Sequence, residues 1–118
     1  MIHDFAVSKH DGGDGVAWLR VRGEIDRDVS EAVTTIIANA ARQEGVEELV
    51  IDLTEVRFLA AAGIRALVEG RAGALRHGLA YRVVNARGVV RAVLEAAGLI
   101  ELLRMGPLPR RPVRLGLS

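Results

Sequence analysis

The chain of 118 residues contains no cysteine. A disulfide framework, a thiolate nucleophile and a cysteine metal site are thereby excluded. Aromatic residues are nearly as scarce, at 3%, so a core must be assembled from Val, Leu, Ile and Ala. Lysine occurs once, as Lys9, and almost all cationic charge is arginine. The formal net charge of +1 speaks against a dedicated nucleic-acid binder. No apolar run approaches the length of a membrane span, and no basic stretch followed by a hydrophobic one opens the chain. These features predict a cytoplasmic protein without membrane insertion. His3, His10 and His77 have no metal-ligand spacing to one another or to a carboxylate pair. Ser8, Ser30 and Ser118 lack the surroundings of a nucleophile. The sequence therefore predicts neither an enzyme nor a bound metal or cofactor.

What is present is ordinary for one globular domain: 50% apolar and 26% charged residues, enough for a single core. Residues 49–77 organise the chain. Leu49-Val50-Ile51-Asp52-Leu53 is too short and too β-branched for a helix and predicts a strand buried on both faces, with parallel neighbours. A turn at 54–57 and a short apolar piece, Phe58-Leu59, lead to a loop, Ala60-Ala61-Ala62-Gly63. From Ile64 the period becomes helical, with Ile64, Leu67, Val68, Ala72 and Leu75 on one face. Gly78 stops that helix. Asp52 is expected to hold the loop that follows its strand.

Around this centre, residues 2–8 alternate as a first strand. A glycine-rich turn at 11–15 suits a hairpin and not a phosphate loop, because a strand follows it where a helix is needed. Residues 16–22 form a second strand, with Val16, Trp18, Arg20 and Arg22 on one face and Ala17, Leu19 and Val21 on the other. Trp18 is expected at the rim, packed under arginines. Asp26 or Asp28 can cap a helix carrying Val29, Ala32, Val33, Ile36, Ile37 and Ala40 as its apolar stripe. A further strand spans 79–85. Asn85 can cap a third helix over 86–97, which turns Arg87, Arg91 and Glu95 outward and stops at Gly98. Residues 99–103 read as a short last strand. Strand–helix alternation after residue 45 implies a mostly parallel sheet, made mixed by the hairpin.

The order strand, Thr54, Val56, Phe58, tetrapeptide ending in Gly63, then helix resembles the central motif of the STAS domain, the fold of bacterial anti-sigma-factor antagonists. Gly23-Glu24-Ile25-Asp26 resembles the Gly-Glu-Leu-Asp segment that follows the family's second strand. The resemblance implies an α/β fold: a single STAS-like domain over 1–104 with a mixed, mostly parallel sheet of four to five strands and helices packed on it. Residues 105–118, rich in Pro and Arg, depart from the family's closing helix and predict an extended tail.

The family tetrapeptide is usually Asp-Ser-Ser-Gly or Asp-Ser-Ala-Gly, and its first Ser is phosphorylated by a partner kinase. Here Ala61 occupies the acceptor position and cannot be phosphorylated, and Ala60 replaces the acid. The resemblance implies a non-enzymatic module of transcription regulation, an anti-sigma-factor antagonist binding a serine kinase-like ATPase as its anti-sigma factor. The expected partner surface is Asp26, Ala60, Ala61, Ala62, Gly63, Arg65 and Glu69. Three accounts fit the alanines: an antagonist that phosphorylation cannot switch off, a STAS subunit docking on a transporter ATPase or in a multi-protein stress-signalling complex, and an engineered chain with the acceptor removed. A nucleotide binder ranks last, since no phosphate loop is present. An exposed apolar loop is compatible with a weak homodimer.

Overall fold

A computed structural model describes residues 5–104. β1 (Phe5–Asp11) and β2 (Val16–Ile25) form an antiparallel hairpin. α1 (Arg27–Ala41), β3 (Glu48–Leu59), α2 (Ala61–Arg76), β4 (Ala80–Val84) and α3 (Gly88–Ala96) follow. The four strands lie in sequence order, with β2–β3 and β3–β4 parallel. The mixed, mostly parallel sheet is thus as the sequence implies.

The hairpin closes because Gly13, Asp14 and Gly15 take positive φ values of 75°, 53° and 79°, which glycine and aspartate tolerate best. The alternation in β2 puts Ala17, Leu19 and Val21 inward and leaves Arg20 and Arg22 exposed. The main core fills one face of the sheet. Leu19, Val21, Leu49, Ile51, Leu53, Tyr81 and Val83 meet Val33 and Ile37 of α1, Leu67 of α2 and Leu94 of α3. On the other face Val16, Val50 and Val84 make a small second cluster, against which half-buried Trp18 packs. Buried Arg82 lies 3.7 Å from Glu48 across the β3–β4 pair.

Several local expectations are corrected. β1 runs on to Asp11 rather than ending at Ser8, and residues 2–4 of the expected strand lie outside the described residues. β2 does not end at Arg22 but runs to Ile25, and β3 has no turn at 54–57. The two strands hold each other in a ladder from Val16↔Glu48 to Ile25↔Leu59, with register shifts that absorb the polar stretch. α2 starts at Ala61 rather than Ile64. Its buried stripe is Gly63, Ala66, Leu67, Gly70 and Ala74, while Leu75 is exposed. Small residues win that face because α1 approaches too closely for larger ones: a Cβ on Gly70 would stand 2.9 Å from Ile37 Cγ2 and 3.0 Å from the Tyr81 hydroxyl. The N-cap position of α3 is Arg87, not Asn85, with no side-chain cap bond, and Val89 of its expected stripe is exposed. Residues 99–103 form turns, not a fifth strand, with a single bond from Val83 N–H to the Leu103 carbonyl tying them to β4. The tail at 105–118 lies outside the described residues.

The tight side of α2 can be tested against its loose side. A Cβ on Gly63 would stand 2.8 Å from the Ile25 carbonyl oxygen, whereas one on Gly73 would meet nothing nearer than Arg76 Nη2 at 3.5 Å. Gly63→Ala is expected to lower the unfolding free energy by about 1–3 kcal/mol through overpacking against backbone. Gly73→Ala is expected to raise it by about 0.5–1 kcal/mol through helix propensity. Urea denaturation of the two variants checks both signs.

Candidate functional site

The parallel strands β2 and β3 end in register at Ile25↔Leu59. One residue then separates each strand from its helix: Asp26 before α1 and Ala60 before α2. The Ala60 N–H donates to the Ile25 carbonyl at 3.0 Å, so the two helix N-termini stand side by side. They are finished differently. The Asp26 carboxylate accepts from the amides of Asp28 and Val29 at 2.9 and 3.2 Å, a full side-chain cap. Ala60 has the same extended conformation but makes no side-chain cap bond. The first intrahelical bond of α2 is Ile64 N–H to the Ala60 carbonyl. The amides of Ala61, Ala62 and Gly63 precede it, at the positive end of the helix dipole.

The expected loop 60–63 is therefore a cap residue and the first turn of a helix. Ala61, Arg65 and Glu69 are exposed and, four residues apart, share one stripe of α2. Ala62 and Asp26 are half-buried beside it. Gly63 is buried against Leu59 and Ile25. It shapes this surface by permitting the close approach and presents no side chain to it. Phe58 was missed as a surface residue. It pairs with Glu24 across the ladder and is 47% exposed, which places an aromatic ring on the outer face just before the α2 junction. Strand alternation around inward Leu59 is the signal that could have found it.

Behind the junction lies one strongly buried acid. Asp52 is 2% exposed. It accepts from the Thr54 hydroxyl and amide, from Asn85 Nδ2 at 3.2 Å and from Arg20 Nε at 3.3 Å. Asn85, at φ 62°, is thus used to hold the β4–α3 loop to β3. Burial pushes the Asp52 carboxyl up, but the Thr54, Asn85 and Arg20 donors outweigh it and hold the group below its ordinary range. The expectation that Asp52 holds the following segment is met, as a clamp on β2, β3 and the β4–α3 loop together.

The STAS domain model matches residues 9–110. The chain belongs to the STAS domain family. Among solved structures, this STAS domain is similar to an anti-sigma factor antagonist from Mycobacterium paratuberculosis, with 28% identity, a TM-score of 0.76, and 89% of this chain and 87% of that one covered. It shares its fold with the anti-sigma factor antagonist SpoIIAA in its unphosphorylated form, at 19% identity and TM-score 0.69, over 80% and 82% of the two chains. It shares it equally with a sulfate transporter family protein from Wolinella succinogenes, at 19% identity and TM-score 0.65, over 75% and 71%. STAS domains are in general binding modules without catalysis. Among the described residues no group of three or more His, Asp or Glu is placed to hold a metal, and no helix is long and apolar enough to cross a membrane.

The clamp predicts a pH dependence. Because the folded pKa of Asp52 is lowered, its contribution is complete above the unfolded value of about 3.9 and is lost as pH falls through the folded value. Asp52→Asn is expected to cost about 1–3 kcal/mol at pH 7 by unpairing the clamp. The gap from the unaltered protein should narrow below pH ~4. Urea titrations from pH 7 downward test this; a gap independent of pH would contradict the ionised clamp.

Proposed function

We propose that this STAS domain is an anti-sigma-factor antagonist that binds a serine kinase-type anti-sigma factor in the cytoplasm and cannot be released by phosphorylation at its helix junction. The observation that carries this is the exposed, uncapped first turn of α2 at Ala61, seated beside the capped start of α1. A helix N-terminus of this kind accepts a phosphate readily. A hydroxyl at this position would let a kinase add nearly two negative charges without unfolding the helix, and those charges would disrupt a complementary protein surface. Ala61 has no hydroxyl. The surface keeps the small, uncharged form that the unmodified state of such a switch would have.

The partner surface comprises Asp26, Ala60, Ala61, Ala62, Arg65 and Glu69, shaped from beneath by Gly63. Exposed Phe58 is the large apolar group within reach, of the kind that anchors interfaces. Likeness to the mycobacterial antagonist supports this reading. A role as a subunit on a transporter ATPase or in a stress-signalling complex uses the same fold and is an outcome of the same test.

Titration calorimetry against the serine kinase-type anti-sigma factors of the source genome provides it. The unaltered protein is expected to bind one of them. Ala61→Asp should weaken that binding by well over tenfold through a buried, unpaired charge, with an unchanged melting temperature. Ala61→Ser should acquire phosphate from the bound kinase and ATP. Equal binding by Ala61→Asp would remove the assignment of the surface. Binding to a transport ATPase alone would remove the regulatory role.

A further inference from the structure

The far end of α2 carries an apolar surface of its own. Among the described residues the exposed large apolar side chains are Phe58, Leu75, Val89 and Leu102. Single exposed leucines are ordinary, but Leu75, 48% exposed, and Leu102, 38% exposed, line one groove of about 630 Å³. One wall is the last part of α2, with Arg71 and Leu75. The floor is the start of β4, and the other wall is Glu101, Leu102 and Arg104 in the turns after α3. Leu75 lies roughly 21 Å along the helix from Ala61 at 1.5 Å per residue, so this groove is separate from the proposed partner surface.

The groove is also where the chain leaves the described residues. Leu103 is fully buried. Its carbonyl accepts from the Val83 amide at 2.9 Å, and its own amide donates to the Leu99 carbonyl at 3.0 Å. The Arg104 amide donates to the Glu101 carbonyl at 3.1 Å, with Arg104 at φ 53°, a conformation uncommon outside glycine, asparagine and aspartate. These bonds hold the exit point in the groove wall. Met105-Gly106-Pro107-Leu108-Pro109 follows, and the match to the STAS domain runs on to residue 110. Met105 and Leu108 are the first apolar residues past the wall, and four extended residues span about 14 Å. Pro107 and Pro109 fix their φ near −65°, so little chain freedom is left to lose on docking. A segment tethered in the wall also meets the groove at high effective concentration. Arg110 and Arg111 come next. Arg71 and Arg104 on the walls repel them, which limits the occupant to the apolar part.

We propose that residues 105–109 of this chain fold back into the groove between the end of α2, β4 and the turns after α3, with Met105 and Leu108 against Leu75 and Leu102. The segment acts as a strap. It ties the last turns of α2 to the turns after α3 and covers the leucines of both walls.

The test is NMR spectroscopy and thermal melting of the whole chain. Cross-relaxation between the methyl groups of Leu108 and those of Leu75 or Leu102 is expected. Leu108→Ser should shift the amides of Arg71, Leu75, Gly98 and Leu102 and lower the melting temperature by roughly 5 °C. Leu75→Glu, at an exposed position, should abolish the contact between Leu108 and Leu102 and shift the amides of Met105, Gly106 and Leu108 while α2 stays folded. Val113→Ser, outside the strap, should leave the groove amides in place. Groove amides unmoved by Leu108→Ser, equal shifts from Val113→Ser, or groove shifts that follow protein concentration and persist in Leu108→Ser, as a second copy in the groove would give, would each overturn the inference.

Discussion

The structure depends on the close approach of α2 to the ends of β2 and β3. With hydrogen in place of a side chain at Gly63, the first turn of α2 sits on Ile25 and Leu59, and the Ala60 amide reaches the Ile25 carbonyl. That contact sets two parallel strand–helix junctions side by side. The same demand for small residues continues along the helix through Ala66, Gly70 and Ala74, so α1 and α2 pack closely over the sheet. Interiors packed this tightly transmit displacement, and the position of the exposed Ala61 surface is therefore fixed by buried contacts behind it.

Two helix starts in one place invite different uses. Asp26 satisfies its helix with its own carboxylate, whereas Ala60 leaves α2 to its surroundings. The omission costs about 1 kcal/mol of capping and leaves a small, neutral, amide-rich patch beside an exposed phenylalanine.

Much of this was legible in the residues. Alternation in β2, the apolar run of β3 and the stripe of α1 carry their own periods, and the parallel order follows from strand–helix alternation. Asp26 was legible as a cap. The misplacements share a cause: tertiary pairing overrode local pattern. Thr54-Glu55-Val56-Arg57 looks like a turn but is held in the β2 ladder. Ile64 and Leu75 look like the buried face of α2, yet glycine and alanine take it because α1 leaves no room for more. Asn85 has the chemistry of a helix cap and is drawn instead to Asp52, thirty-three positions away. Phe58 read only as part of a short apolar piece with Leu59; strand alternation buries Leu59 and leaves Phe58 exposed.

The central claim concerns a binding surface that no phosphate can switch off at Ala61. It is tested most directly by calorimetric titration of the unaltered protein into the proposed partner, a serine kinase-type anti-sigma factor, before and after prolonged incubation of the pair with ATP. The account predicts the same affinity in both titrations and no phosphate on this chain by mass spectrometry. Loss of affinity after ATP, with phosphate found on a residue of this chain, would contradict it.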